Sequence, residues 1–477
     1  MSLRLPPTPD LLPPMETTAT ESLFEWAHAE FGNAALGNSL RTQRLVAMAH
    51  QAAERPAGKI TEVFDNSAQR EAAYRFVESV HVDYRDVARA AWSATAARSD
   101  GEDVVRVAVD GSTLTLTDRV GAKNHGKIGQ RKDTARGAEV MTALAMTESG
   151  VPLGIASQCW WYRSDTKAKL PAKKRTVWEK ETRYWLDAIR LSEEAFAAAD
   201  CSARRWYQCD AGADFRELLR LAANSDQWYT IRACQDRLTA DDHGSRLWST
   251  LALAPLGGTF DFEVPAGRKR QARTASIEVR YKCVTLKPRH QLKGSRDPFT
   301  LWAVFAQERG TTPEGEDPIE WLLLTNRPVE SFDTAQEVIR SYALRWRVEE
   351  FHKTWKSVCH VEQSQLEQSS FQIWAAILAS VAVRAERLKQ LARQVPESSA
   401  AEHFSAIELE ALEILRQPKD SDIGRRPPTL KQAVRWLAEI GGYTGNSRSG
   451  PPGSITIGRG LARLEPAATV LRRARMR

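Results

Sequence analysis

The sequence predicts an α/β fold that is helical at both ends. Strand-like and helical segments alternate through the middle of the chain, a helical pattern precedes them, and the C-terminal part is helical again. Alternation of strand, helix and strand is typical of an α/β core. A chain of 477 residues is too long for one hydrophobic core, so we expect several structural units.

The N-terminal segments favour helices. Residues 1–20 contain several prolines, and we expect a disordered tail there. Within 21–96, "ESLFEWAHAEFG" and "LRTQRLVAMAHQAAE" carry apolar residues at helical spacing on either side of the cap-like "LGNS". Arg41 and Arg44 share one helix face, and Arg75 lies in "AAYRFV". A solvated basic face is the simpler interpretation of these arginines, and contact with phosphates is the alternative.

Strands begin the next unit, which we place at 97–234. The segments "VVRVAVDGSTLTLT" and "AEVMTALAMTESGVPLGIASQCWW" alternate apolar with small or polar residues, and turns are expected at Asp110-Gly111 and Ser149-Gly150. The helix "RTVWEKETRYWLDAIRLSEEAFAA", the strand "RRWYQCDAGAD", the helix "DFRELLRLAANS" and the strand "QWYTIRAC" follow.

The α/β unit is then interrupted. Residues 235–316 resemble short strands joined by basic turns, and we expect a β-rich insertion there. The α/β pattern resumes over 317–390, from "EWLLLTNRPV" onward. Residues 391–477 form a helical C-terminal region with a basic end.

The composition restricts the class of protein. A net charge of +7 permits a polyanionic partner without requiring one. The six cysteines show no CxxC pair and no zinc-type spacing, which favours free thiols in a reducing compartment. No apolar run is long enough to span a membrane, and the first residues lack the apolar segment of a signal peptide. We therefore expect a soluble cytoplasmic protein with no membrane partner.

Two aspartates end the clearest core strands. Asp110 follows "VVRVAV", and Asp210 follows "RRWYQC". Strand ends are where an α/β scaffold normally presents ligand-binding or catalytic groups. Each aspartate alone is weak support, because Asp before Gly is also ordinary turn chemistry.

A richer segment lies at 333–357, "DTAQEVIRSYALRWRVEEFHKTWKS". It contains no Gly or Pro and opens on a capping-box-like start, which predicts one long helix. On a helical wheel of about 100° per residue, one stripe is polar and the opposite stripe is apolar. The polar stripe contains Tyr342, Arg345, Glu349, Lys353 and Lys356, and the apolar stripe contains Leu344, Val348, Phe351 and Trp355.

The wheel also separates two adjacent glutamates. Glu349 belongs to the polar stripe, whereas Glu350 points about 100° away and is assigned a structural role. Trp346 borders the polar stripe and is expected to touch DNA, and His352 is assigned no role. The alternative without a functional site is an exposed helix in which an Arg345–Glu349 ion pair stabilises the helix by about a few tenths of a kcal/mol.

The cations around one carboxylate favour a site that holds phosphate oxygens beside a metal-binding acid. Three carboxylates on an α/β core, namely Asp110, Asp210 and Glu349, can bind two Mg²⁺ ions, which prefer oxygen ligands. Such a pair activates water or a 3′-hydroxyl for in-line phosphoryl transfer.

The spacing of Tyr342, Arg345, Glu349 and Lys356 resembles the Tyr-Arg-Glu-Lys signature of one branch of bacterial insertion-sequence DDE transposases. The segments "AALGNSLRTQRLV", "AAYRFV", "VAVDGSTLTL", "CDAGADF", "EWLLLTNRPVES" and "ASVAVR" are similar to the same family, in family order. The resemblance therefore covers most of the chain.

The resemblance implies an RNase H-like catalytic core interrupted by the β-rich insertion. It implies that 21–96 binds DNA, that Asp110, Asp210 and Glu349 are the catalytic metal ligands, and that Mg²⁺ is the cofactor with Mn²⁺ as a substitute. It also implies that 391–477 is a dimerisation region and that a homodimer acts in trans in a synaptic complex. The implied substrates are double-stranded transposon ends and target DNA, in the nucleoid of a bacterial cytoplasm.

The implied reaction is cut-and-paste transposition. Water nicks each end, the freed 3′-hydroxyl forms a hairpin, hydrolysis opens it, and the 3′ end joins target DNA. By resemblance, Trp321 stacks on a flipped base. Arg232 holds the neighbouring phosphate with Tyr342 and Arg345, and Lys353 and Lys356 lie near the end DNA.

The sequence departs from the family pattern in three places, and the first is Leu40, which interrupts a basic pair of the family pattern beside Arg41 and Arg44. Gln365 stands where the family model has an arginine, and "DGST" replaces two threonines after Asp110, which puts end-sequence specificity in doubt. Basic loops at 123–136, 167–175 and 268–273 are expected to track phosphates, with steep salt sensitivity. A non-catalytic DNA-binding regulator descended from a transposase is the alternative function, and a relative that cuts without joining is a third.

Overall fold

The structure, a computed structural model, describes residues 23–129, 134–164, 170–171, 174–240, 245–265, 270–287, 297–416, 428–445 and 450–475. The tail expected over 1–20 lies outside the described residues. Parts of the three basic loops also lie outside them, at 130–133, 167–169, 172–173 and 268–269.

The N-terminal unit is helical. Its helices are α1 (Leu23–Phe31), α2 (Ser39–Glu54), α3 (Ile60–Val63), α4 (Ser67–Val77) and α5 (Tyr84–Arg98). The side chains of Asn38, Asn66 and Asp83 accept backbone N–H bonds at the starts of α2, α4 and α5. The cap-like turn expected before α2 is thereby confirmed.

A ten-stranded mixed sheet forms the centre of the molecule. Its strands are β1 (Val104–Leu116), β2 (Gly126–Lys127), β3 (Arg136–Met146), β4 (Pro152–Trp161), β5 (Arg204–Cys209), β6 (Trp228–Arg232), β7 (Leu256–Val264), β8 (Arg273–Leu286), β9 (Phe299–Arg309) and β10 (Glu320–Thr325). Their order is β2-β3-β1-β5-β6-β10-β9-β8-β7, with β4 paired to β3. The β1–β5 and β5–β6 pairs are parallel and the other pairs are antiparallel. The prediction of a mixed α/β fold is confirmed.

The strands of 235–316 extend this same sheet. Strand β6 precedes this segment and β10 follows it, and these two strands pair with each other. Strands β9, β8 and β7 then continue the sheet beyond β10, with Trp321 opposite Ala306. The segment also contains the short helix α8 (Leu247–Ala252).

The turn expected at Asp110-Gly111 is wrong. Strand β1 runs straight through both residues, because its second half stays paired with β3, from Asp110 opposite Thr142 to Leu116 opposite Arg136. The turn expected at Ser149-Gly150 is confirmed. The Gly150 N–H donates to the carbonyl oxygen of Thr147 at 3.0 Å, at a φ of +81° that favours glycine.

Two helices cover the first part of the sheet. They are α6 (Arg183–Ala198) and α7 (Arg216–Ala223). Helix α6 is shorter than the sequence pattern suggested, because 177–179 form a separate 3₁₀ turn. Its buried side chains Trp185, Ile189 and Phe196 pack in one cluster with Val107 and Val109 of β1.

The single long helix expected over 333–357 is wrong. The chain forms α9 (Phe332–Ala343) and α10 (Trp346–Ser357), and between them four N–H groups, including those of Arg345 and Val348, bond to carbonyls three residues back. The two helices pack on different cores: Tyr342 lies in the cluster beneath β8 and β9, and Trp355 lies in the cluster shared with the N-terminal helices. Separate packing is the physical reason for the break.

The rest of the described chain is helical. It contains α11 (Gln368–Gln394), α12 (Ala406–Arg416), α13 (Leu430–Ile440) and α14 (Ser454–Arg475). Helix α11 joins the N-terminal helices to this region, and the Trp374 indole N–H donates to the Gly58 carbonyl at 2.9 Å. Within the described ranges, no helix is both long and apolar enough to cross a bilayer.

Candidate active site

The three acids expected to act together lie on neighbouring elements. Val109 of β1 stands opposite Cys209, the last residue of β5, so Asp110 and Asp210 leave this parallel pair at the same edge. Glu349 lies in the first turn of α10, which packs on β1 and β3. Parallel pairing and helix packing therefore bring together residues that are far apart in sequence.

The surroundings of Asp110 show that these acids influence one another. Burial raises the pKa of Asp110 to about 6, the charge of Arg345 opposes the rise, and the negative charges of Asp210 and Glu349 add to it. One carboxylate oxygen of Asp110 accepts the Gly111 N–H at 2.8 Å. The carboxylates thus form one electrostatic cluster.

Asp210 is held by its own turn. Its Oδ1 atom accepts the Gly212 N–H at 2.7 Å, which caps the 3₁₀ turn Ala211–Ala213. This bond fixes one oxygen and fits a carboxylate that presents its other oxygen to the cleft.

A cleft of about 330 Å³ opens beside Asp110 and Asp210. Its other lining residues are Gly111, Ser112, Thr113, Glu139, Met141, Trp161, Glu181, Thr182, Trp185 and Gly212. Glu139 was not predicted from the sequence: it is a buried carboxylate on β3 that accepts the Thr113 hydroxyl at 2.7 Å and lies 2.8 Å from Arg163 Nη1. An acid inside the otherwise apolar "AEVMTALAM" was the only hint of it.

Arg345 connects two of the acids. Its Nη1 lies 2.6 Å from Asp110 Oδ2, and its Nη2 lies 2.8 Å from Glu349 Oε1. Burial opposes the charged form, but the charges of Asp110, Tyr342 and Glu349 raise the pKa of Arg345 above its ordinary value. The expected ion pair with Glu349 is present, but the guanidinium is buried between the acids. The alternative of an exposed, solvated helix face at Arg345 is therefore wrong.

The other residues of the polar stripe differ in exposure. Tyr342 is buried, and burial raises its pKa. Lys356 donates from Nζ to the Thr113 carbonyl at 2.7 Å, beside the cleft. Lys353 is exposed, and Trp346 is 52% exposed with the Arg345 guanidinium 5.5 Å from its ring. The stripe therefore borders the acids and ends in an exposed aromatic ring and an exposed cation.

Two residues from other elements join this group. Trp321 of β10 meets Tyr342 edge-on, with ring centroids 5.2 Å apart. Arg232 of β6 is exposed and pairs with Leu323 of β10, two residues after Trp321. It donates to the Glu320 carbonyl at 3.4 Å. The structure thus collects Arg232, Trp321, Tyr342 and Arg345 around one edge of the sheet.

The three N-terminal arginines lie elsewhere. Arg41 and Arg44 are on α2, where Arg41 donates to the Leu36 carbonyl at 3.0 Å and Arg44 is exposed. Arg75, on α4, is exposed and paired with Glu71. They lie on the helical unit, away from the strands that carry the acids.

Glu350 and His352 bond to residues other than the three acids. Glu350 lies 2.7 Å from Arg347 Nη1 and 3.4 Å from Lys389 Nζ on α11. His352 is buried, its Nε2 lies 3.1 Å from the Thr142 hydroxyl, and burial lowers its pKa to about 3. Both side chains connect α10 to its structural neighbours.

The carboxylates of the site are suitable ligands for a divalent cation. Their arrangement within the described part of the chain does not form a cation-binding group. Carboxylate oxygens are the ligands that Mg²⁺ prefers. Among the residues that the structure describes, however, no group of three or more His, Cys, Asp or Glu side chains is placed to hold a metal ion. The Arg345 guanidinium binds one oxygen of Asp110 and one oxygen of Glu349.

Comparison with family models gives two matches. Residues 24–82, which contain α2 to α4 and all of α1 except its first residue, match a model described as transposase DNA-binding. Residues 182–382 match a model described as transposase DDE domain, and this range contains Asp210 and Glu349. The first match supports binding to DNA, and the second supports a transposase or nuclease enzyme of a kind that generally uses divalent metals.

Proposed function

We propose that this chain, which carries a transposase DNA-binding domain and a transposase DDE domain, excises a mobile DNA element and joins its ends to target DNA. The proposal includes an RNase H-like core at 97–234 and 317–390, the insertion at 235–316, the DNA-binding unit at 21–96 and a dimerisation region at 391–477. The insertion-sequence branch with the Tyr-Arg-Glu-Lys signature is part of the same proposal.

One observation carries it. Asp110, Asp210 and Glu349 meet at one edge of the sheet, and a stripe of cations and aromatic rings borders them. Carboxylates beside phosphate-binding cations are the requirement of in-line phosphoryl transfer between DNA strands. Arg232 and Lys353 are exposed cations of this site, and a site for neutral small molecules would not need them.

Asp110, Asp210 and Glu349 would hold two divalent cations, with Mg²⁺ as the proposed ion, and these would activate water or a 3′-hydroxyl and stabilise the leaving oxygen. Arg345, Lys356 and the exposed Lys353 orient the phosphodiester backbone.

The aromatic and arginine side chains serve the hairpin step of the proposal. Trp321 and Trp346 offer ring faces to an unstacked base, and Arg232 and Tyr342 hold the adjacent phosphate. Nicking, hairpin formation, hairpin opening and joining use the same acids in turn. Arg41, Arg44 and Arg75 position the end DNA from the N-terminal unit, and a homodimer brings two ends together.

Adjacent glutamates on α10 provide a matched test. Duplex DNA made from the terminal repeats that flank the gene is incubated with Mg²⁺ and the parent protein, Asp210→Asn, Glu349→Gln or Glu350→Gln. We expect excision and hairpins with the parent and with Glu350→Gln, and at least about a thousandfold loss in the other two variants. Gel electrophoresis under denaturing conditions measures the products.

Two results would contradict the proposal. End binding by the parent without any cleavage would favour a DNA-binding regulator. Cleavage without joining to a second duplex would favour a nuclease.

A further inference from the structure

Arg345 binds one oxygen of each of two proposed metal ligands. Its two terminal nitrogens lie 2.6 Å from Asp110 Oδ2 and 2.8 Å from Glu349 Oε1. Hydrogen bonds between charged partners are about twice as strong as neutral ones. A cation that needs these oxygens must therefore compete with the guanidinium already present.

The same guanidinium still lacks one partner. Arg345 is only 7% exposed, and its Nε–H is buried without a hydrogen-bond acceptor among the described residues. A buried donor without an acceptor costs about 1–3 kcal/mol. An incoming anion with several oxygens can satisfy Nε–H together with a terminal N–H, as phosphate oxygens do with arginine.

The position of Arg345 makes such an anion accessible. It stands at the junction of α9 and α10, beside the exposed Trp346 ring, and Lys353 and Lys356 follow on the same stripe. Lys356 donates to the carbonyl of Thr113, which lines the cleft that contains Asp110 and Asp210. Arg345 contacts Asp110 of the same cleft, so a phosphate bound beside Asp110 would lie close to this guanidinium.

We propose that Arg345 is a switch between DNA and metal. In the DNA-free protein it occupies Asp110 and Glu349, and when DNA binds it transfers to a backbone phosphate and frees both carboxylates for a divalent cation. The inference rests on the proposed function and adds the order of assembly, DNA first and metal second. Because linkage is reciprocal, each ligand then strengthens binding of the other.

The test measures metal binding without any reaction. Electron paramagnetic resonance of free Mn²⁺ gives the Mn²⁺ affinity of the DNA-free parent, Arg345→Gln and Arg347→Gln. Arg347→Gln is the control, because it also removes one positive charge, from the start of α10, where Arg347 pairs with Glu350. We expect Arg345→Gln to bind Mn²⁺ at least about tenfold more tightly than the parent, and Arg347→Gln to match the parent. Adding Asp110→Asn to Arg345→Gln should remove the tight site.

A second variant at Arg345 distinguishes the proposed switch from a simple loss of fold. Arg345→Lys keeps the charge but presents one nitrogen instead of a planar fork, so it cannot hold both acids as arginine does. We expect intermediate Mn²⁺ affinity, with the thermal unfolding midpoint of each variant as the control. Duplex DNA with the element's terminal repeats should tighten Mn²⁺ binding by the parent, again about tenfold, and have little effect on Arg345→Gln.

The outcomes separate the two proposals. If the folded Arg345→Gln and Arg345→Lys proteins bind Mn²⁺ no more tightly than the parent, while Asp110→Asn still weakens binding, the switch is wrong and the proposed function stands. If Asp110→Asn has no effect on Mn²⁺ binding in any background, the metal site of the proposed function is wrong.

Discussion

Lys389 is expected to be the most sensitive buried charge near α10. It is 3% exposed on α11, its Nζ lies 2.5 Å from Glu386 Oε2 and 3.4 Å from Glu350 Oε1, and it donates to the Ser454 hydroxyl at 3.0 Å. Glu386 is 1% exposed and also accepts the hydroxyl of Thr354 on α10. One ion pair thus joins α10, α11 and α14.

The change Lys389→Met keeps the length of the side chain and removes its charge. It leaves Glu386 buried without a cation, and removing one partner of a buried pair typically costs about 3–5 kcal/mol. The double variant Lys389→Met with Glu386→Gln keeps an acceptor for the hydroxyls of Thr354 and Ser454, both of which donate to Glu386, and removes both charges of the buried pair. We expect it to be more stable than Lys389→Met alone, by about 1–3 kcal/mol.

Urea denaturation of the full chain, followed by tryptophan fluorescence, measures the shift. Lys431→Met, at an exposed position on α13, is the control and should change the free energy of unfolding by less than about 0.5 kcal/mol. The reasoning is refuted if Lys389→Met is as stable as Lys431→Met, or if the double variant is less stable than Lys389→Met.

Three further changes test other parts of the fold. Burial raises the pKa of Glu465 to about 7 from its ordinary value of 4.5, so the folded protein binds this proton more strongly and stability falls as pH rises between these values. Glu465→Gln should remove up to about 3 kcal/mol of that dependence, measured by unfolding at several pH values. In Gly137→Ala, the new Cβ would lie 1.8 Å from the Leu114 carbonyl oxygen, so we expect a loss of about 1–3 kcal/mol in urea unfolding. Asp214→Asn should lower the free energy of unfolding by about 1–3 kcal/mol in the same measurement, because it neutralises a fully buried carboxylate. That carboxylate accepts two backbone N–H bonds and pairs with Arg237 at 2.5 Å.

Matched variants identify failures of these expectations. Equal pH profiles for the parent and Glu465→Gln would exclude this group as a source of the pH dependence. Gly453→Ala, where the new Cβ meets no atom within 4 Å, is the control for Gly137→Ala and should be nearly neutral. Asp226→Asn, at an exposed position, is the control for Asp214→Asn, and equal losses in the two would contradict the role of burial.

Local sequence patterns predicted much of the secondary structure. The helical wheel placed Val348, Phe351 and Trp355 on an apolar stripe that packs into a core, and the structure confirms their burial because a period of 3.6 residues holds within α10. Lys353, on the opposite polar stripe, is exposed. Leu344, at the helix break, is only partly buried. The wheel still separated Glu349 from Glu350, since their order around one helix depends on local geometry alone.

By itself, then, the sequence determined which segments are strands and helices, which helix face is buried, and which carboxylates were candidates for the site. Only the tertiary structure decided that β1 continues through Asp110, because its partner β3 lies outside that segment. Likewise, α9 and α10 separate because two different cores bind them, and Arg345 spans Asp110 and Glu349 although 235 residues separate it from Asp110. Periodicity is a property of neighbouring residues, whereas these contacts depend on which distant surfaces the folded chain brings together.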